Sequence, residues 1–186
     1  MSDSISSKIK NKISEDLSPT RNITGFHLKI VSAIAIIWSL FQLWYASPFP
    51  FMLNIGMFKG LPARAIHLGF ALTLAFLIYP ISKEKKISFF DVLISFIGAI
   101  SCLYIYFFYD QLVDRGGVLL NIRITETFNF PLELILGGCG ILILLEATRR
   151  AIGLPLVIIA SCFLLFSYFG RYAPEIISHG GLSLNR

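Results

Sequence analysis

The stretch Phe89–Tyr109, FFDVLISFIGAISCLYIYFFY, is long and apolar enough to form a helix that crosses a bilayer. A helix rises about 1.5 Å per residue, so roughly 20 residues traverse the ~30 Å hydrocarbon layer. Four further runs of the same kind flank it: Leu28–Ala46 and Leu61–Pro80 before, Phe130–Ala147 and Leu154–Phe169 after. No soluble fold needs so many such segments in 186 residues. The pattern predicts an all-α integral membrane protein with about five transmembrane helices, and it sets aside most soluble enzyme classes.

Composition points the same way. Hydrophobic residues make up 55% of the chain and charged residues 15%, against about 25% charged in soluble domains. The net charge of +5 does not indicate nucleic acid, because the basic residues cluster beside the apolar runs, where Lys and Arg orient spans and meet anionic lipid head groups. Membrane lipids are thus expected partners and nucleic acid is not.

Residues 1–27 form a polar, basic tail with Lys8, Lys10, Lys12 and Arg21. It lacks the form of a cleavable signal peptide. Ile5, Ile9, Ile13 and Leu17 recur every four residues, which suits a helix lying on lipid head groups; a solvated tail fits equally well. Lys83, Lys85 and Lys86 follow the second run, and Arg149 and Arg150 end the fourth. The positive-inside rule therefore places the N-terminus in the cytoplasm and the C-terminus outside. Trp38, Trp44 and Tyr45 then mark the outer half of the first span, and Tyr104, Tyr106 and Tyr109 the outer end of the third, at the depth where amphipathic rings settle. Pro48 and Pro50 stop the first helix.

Polar groups within apolar runs are the candidates for function. Gln42 shares a helical face with Trp38 and Tyr45; it contacts a substrate or ion, or makes an interhelical hydrogen bond, the simpler reading. Arg64 and His67 lie three residues apart at the start of the second run. They form a pH-sensing or anion site, or anchor the helix end against lipid phosphate or a neighbouring subunit. Glu146 precedes Arg149 and Arg150 by three and four residues, the spacing of a structural intrahelical ion pair. Gly137, Gly138 and Gly140 leave a bare helix surface on which other helices can approach closely, including helices outside this chain.

Cys102, Cys139 and Cys162 match no metal or redox spacing and read as small packing residues. No GxSxG, HExxH, P-loop or DxDxDG pattern occurs. Neither an enzyme nor a cofactor or metal bound by this chain is expected, and no catalytic residue is assigned.

Five local strings resemble a known family: Ser39–Phe51 (SLFQLWYASPFPF), Ala63–Ala71 (ARAIHLGFA) leading to Tyr79-Pro80, Tyr106–Asp110 (YFFYD), Leu144–Leu156 (LLEATRRAIGLPL) and Ser183–Arg186 (SLNR). In this order they look like the N-terminal part of the fused permeases of tripartite ATP-independent periplasmic (TRAP) transporters, closest to the class served by a TAXI-type binding protein. The resemblance implies a four-helix small-subunit-like domain at residues 28–150. Residues 151–186 would be the start of a large permease domain, most of which lies beyond Arg186 in the family. It implies a bacterial inner-membrane protein and an elevator mechanism, with this part as static scaffold. Sodium-coupled uptake of an organic acid, a periplasmic solute-binding protein and a large permease subunit as partners follow from it too. Gln42, Arg64 and His67, with the outer loop Ser47–Gly60, become candidate partner contacts, as does the loop Asp110–Thr127. The ligands for sodium and substrate would lie outside this chain. The alternative is a stand-alone polytopic membrane protein, an enzyme or assembly factor, without transport activity.

Overall fold

The computed structural model describes residues 20–21, 23–81, 87–116, 118–119, 122–125, 128–130, 132–175 and 177–180. The proposed surface helix at residues 5–17, the Lys83–Lys86 cluster and Ser183–Arg186 lie outside them. The described residues fold into helices apart from one short hairpin. Helix α1 spans Gly25–Ala46, the five-residue α2 Phe49–Leu53, α3 Gly60–Ile78 and α4 Phe89–Asp114. Strands β1 (Ile122–Thr125) and β2 (Phe128–Phe130) pair antiparallel, Ile122 opposite Phe130. Helices α5 (Leu132–Ala151) and α6 (Leu154–Phe169) follow, and a 3₁₀ turn covers Gly170–Tyr172.

Local chemistry explains the boundaries. Helix α1 stops where Pro48 and Pro50 remove backbone donors; the Ser47 amide closes the last turn on the carbonyls of Leu43 and Trp44. Ser88 caps α4 by accepting the Phe90 amide at 3.3 Å, and Asp91 sits in the first turn, where the helix dipole favours an anion. Gly153, at φ 111°, makes the turn between α5 and α6, and Pro155 occupies the first turn of α6.

Helices α3 and α4 form the central pair; α5 packs on both, α1 lies against α3, and α6 touches mainly α5. The core is Leu72, Phe76, Cys102 and Ala147, joined by Leu68, Ala75, Ile94 and Ile143. Gly98 makes the three-helix crossing possible: a Cβ there would lie 3.0 Å from Ile143 Cγ2 and 3.4 Å from Leu72 Cδ1. Outside this small core the surface is apolar. Ile36, Leu43, Phe96, Leu142 and Phe163 are all exposed, and α6 buries no residue. Water does not tolerate so large an apolar surface, whereas lipid does.

Among the described residues four helices are long and apolar enough to cross a membrane: Gly25–Ala46, Gly60–Ile78, Phe89–Asp114 and Leu154–Tyr172. The expected count of five is not reached on this measure. Helix α5 carries Glu133 near its start and Glu146, Arg149 and Arg150 near its end. Its charge-free part, residues 134–145, is only about 18 Å long at 1.5 Å per residue. Two other expectations change. The third apolar run extends five residues beyond Tyr109, from Tyr109 to Asp114, so the loop expected at Asp110–Thr127 begins as helix and continues into the hairpin. Arg21, read from the sequence as part of the polar, basic tail, is buried.

Candidate functional site

Among the described residues three gatherings of polar side chains stand out, two of them at opposite ends of the α4–α5 pair. At the α3 C-terminal end, Asp91 is clasped by two arginines. Arg21 Nη2 donates to Asp91 Oδ2 at 2.6 Å and Arg150 Nη1 to Oδ1 at 2.7 Å. The side chains of Arg21 and Asp91 are each 1% exposed and that of Arg150 3%. Arg21 also ties down the end of α3: its Nη1 donates to the Leu77 carbonyl (2.7 Å) and its backbone amide to the Ile78 carbonyl (2.8 Å). The Arg150 guanidinium lies over the Phe76 ring, 4.8 Å from its centroid.

This network extends along α5. Arg150 Nε donates to Glu146 Oε1 (2.8 Å), and Arg149 donates to both Glu146 oxygens (2.7 and 2.8 Å). The sequence spacing pointed to a local ion pair among Glu146, Arg149 and Arg150. What it did not point to is the partner across 59 positions, Asp91, and the arrival of Arg21 beside it. A signal was available: an aspartate inside an apolar run demands a cation.

At the opposite end, Glu133 is nearly buried and accepts from Tyr104 Oη and from Arg115 Nη2, each at 2.7 Å. The bond to Glu133 raises the already high pKa of Arg115 further. A groove of about 350 Å³ opens beside this triad, lined by Leu68, Leu72, Ser101, Leu136 and Gly140 among others. On the surface nearby, Lys59 pairs with Asp110, which raises the Lys59 pKa, and its ammonium lies 5.8 Å from the Tyr109 ring centre.

The third place joins two of the candidate residues. Trp38 Nε1 donates to His67 Nδ1 at 3.2 Å, and the Gln42 amide nitrogen meets the same atom. The indole has only a donor to offer, so at this contact Nδ1 is the acceptor. The rings of Trp38 and His67 meet edge to face, 5.0 Å apart. Arg64 is exposed one turn away and does not join this cluster.

The glycines of α5 divide. A Cβ at Gly140 would lie 3.6 Å from Ser101 Cβ on α4, whereas at Gly137 and Gly138 it would meet nothing within 4 Å. Among the described residues, then, only Gly140 of the three meets a neighbouring helix. Cys102 is buried in the core, Cys139 is partly buried and Cys162 is exposed, and all three are free thiols. Among the described residues no group of three His, Cys, Asp or Glu side chains could hold a metal ion.

Comparison of the chain with protein-family models, with curated proteins and with solved structures gave no match.

Proposed function

We propose that this chain is a static membrane scaffold, the small-subunit-like part of a TRAP-type permease that takes up organic acids delivered by a periplasmic binding protein. One observation carries the scaffold reading. The carboxylates of Asp91, Asp110, Glu133 and Glu146 each close on a cation of the same chain at a helix end, and the core between them is Leu72, Phe76, Cys102 and Ala147. A transport path needs polar groups free to exchange partners with a solute or ion. A brace needs helix ends locked together. The transporter assignment itself rests on the five sequence strings.

In this reading α5 crosses as a fifth span with its charges neutralised pairwise at both ends, the N-terminus is cytoplasmic and the membrane is the bacterial inner membrane. Open Gly137 and Gly138, together with Gln42, Arg64 and His67, face the large permease unit. Co-reconstitution with that unit and a binding protein tests the proposal. Sodium-driven uptake of a carboxylate should require this chain; uptake at full rate without it would refute the scaffold role.

A further inference from the structure

The segment joining α1 to α3 has the chemistry of a membrane-surface anchor. Residues 47–58, SPFPFMLNIGMF, contain no Asp, Glu, Lys or Arg. Phe49, Phe51, Met52, Leu53, Ile55 and Met57 are all exposed, Phe51 by 76% and Met52 by 75%. A connection bathed in water would be polar.

The segment is built to hold this shape. After Ser47, whose hydroxyl donates to the Trp44 carbonyl at 2.8 Å, the chain turns into α2. The Phe51 and Met52 amides donate to the Pro48 carbonyl (3.2 and 3.1 Å), and Ile55 N returns to the Pro50 carbonyl (3.3 Å). Asn54 adopts the left-handed conformation at φ 53°. Gly56, at φ 63°, lies so close to Trp44 that a Cβ would stand 3.1 Å from the indole nitrogen. Phe58 then packs edge to face on Phe41, 5.5 Å between ring centres, and leads into α3.

We infer that residues 49–57 lie in the boundary between head groups and acyl chains, with the Phe51 and Met52 side chains in lipid. The occupant follows from covalent continuity. The segment starts where one candidate span ends and finishes where the next begins, its fold draws Gly56 onto Trp44 and Phe58 onto Phe41 at those span ends, and Trp44 and Tyr45 beside it are residues of the kind that settle at this boundary. The inference rests on the membrane reading of α1 and α3 and not on the transporter assignment.

The test places a trifluoromethyl-phenylalanine at position 51, and separately at the exposed α6 position Phe163, of the full chain in phosphatidylethanolamine–phosphatidylglycerol vesicles. Fluorine relaxation is read with dissolved oxygen, which concentrates in lipid, and with a water-soluble nickel chelate; helical circular dichroism confirms that each labelled chain is folded. Oxygen should relax the label at position 51 several-fold more than nickel does, as at position 163. Stronger relaxation by nickel at position 51 would put the segment in water, and protection from both agents would put it under protein; either overturns the inference. Nickel dominance at both positions would overturn the membrane reading along with it.

Discussion

The Arg21 guanidinium lies 2.6 Å from the Asp91 carboxylate, 70 positions away in sequence, and ties the residues before the first helix to the start of α4. Because Arg150 holds the other Asp91 oxygen, one carboxylate joins three parts of the chain. Removing one member of a buried ion pair leaves an uncompensated charge and costs about 3–5 kcal/mol. Asp91→Ala should therefore destabilise the folded chain by that amount, and Asp91→Asn by less. In a background with Cys139→Ala and Cys162→Ala, heating in detergent with a thiol-reactive dye reports the exposure of buried Cys102. An Asp91→Ala chain that releases Cys102 at the parent temperature would contradict the clasp. Adding Arg21→Ala to Asp91→Ala should cost less than the sum of the single changes, since the two share one interaction.

The second clasp predicts a smaller effect. Tyr104→Phe removes a hydroxyl that donates to the nearly buried Glu133 carboxylate. Hydrogen bonds to charged groups contribute about 1.5–3 kcal/mol. Arg115 keeps its hold on Glu133, so the loss should fall at the lower end of that range in the same Cys102 assay. Arg115→Ala with Tyr104→Phe together should exceed it clearly.

Glycine substitutions should separate the inner from the outer surface of the bundle. Gly98→Ala drives a methyl to 3.0 Å from Ile143 Cγ2, and overpacking of this kind costs about 1–3 kcal/mol; pairing it with Ile143→Ala should relieve the clash. Gly137→Ala and Gly138→Ala meet open space and should leave the isolated chain as stable or slightly more so, because Ala favours helix by up to about 1 kcal/mol. If the same two changes weaken binding to a partner permease, that partner's helix lies against this face.

His67 offers a spectroscopic check. With Trp38 donating to Nδ1, nitrogen NMR of the imidazole should show the proton on Nε2. Trp38→Phe keeps an aromatic ring but deletes the donor, so the Nδ1 resonance should move toward that of an unbonded nitrogen and the Nε2–H assignment should weaken. A proton found on Nδ1 in the parent chain would contradict the geometry.

Much of the fold is written in local pattern, and much of the candidate site is not. Apolar length announces α1, α3, α4 and α6, because a bilayer demands one long apolar run for each crossing. The proline pair at Pro48 and Pro50 announces the break after α1 but not that the chain immediately forms α2. The extension of α4 to Asp114 escapes a hydropathy reading, since Asp110, Gln111 and Asp114 are polar yet remain helical. The hairpin does carry a strand signal, the apolar–polar alternation of Ile122-Arg123-Ile124-Thr125 and Phe128-Asn129-Phe130, which a search for long apolar runs passes over. Spacing brings Glu146 toward Arg149 and Arg150 because they share a helix. Asp91 with Arg21, Glu133 with Tyr104 and Gln42 with His67 are meetings between elements, fixed by how the helices dock. The exposure of Gly137 and Gly138 beside the packed Gly140 depends on the same docking.

The central claim, a scaffold serving a larger permease, is tested most directly by reading the coding DNA on either side of the codons for residues 1–186. The account predicts a large multi-span permease, in the same frame or an adjacent one, with a periplasmic solute-binding protein beside it. Flanking DNA that encodes neither would contradict the transporter assignment and leave a polytopic membrane protein whose clasped helix ends serve some other assembly.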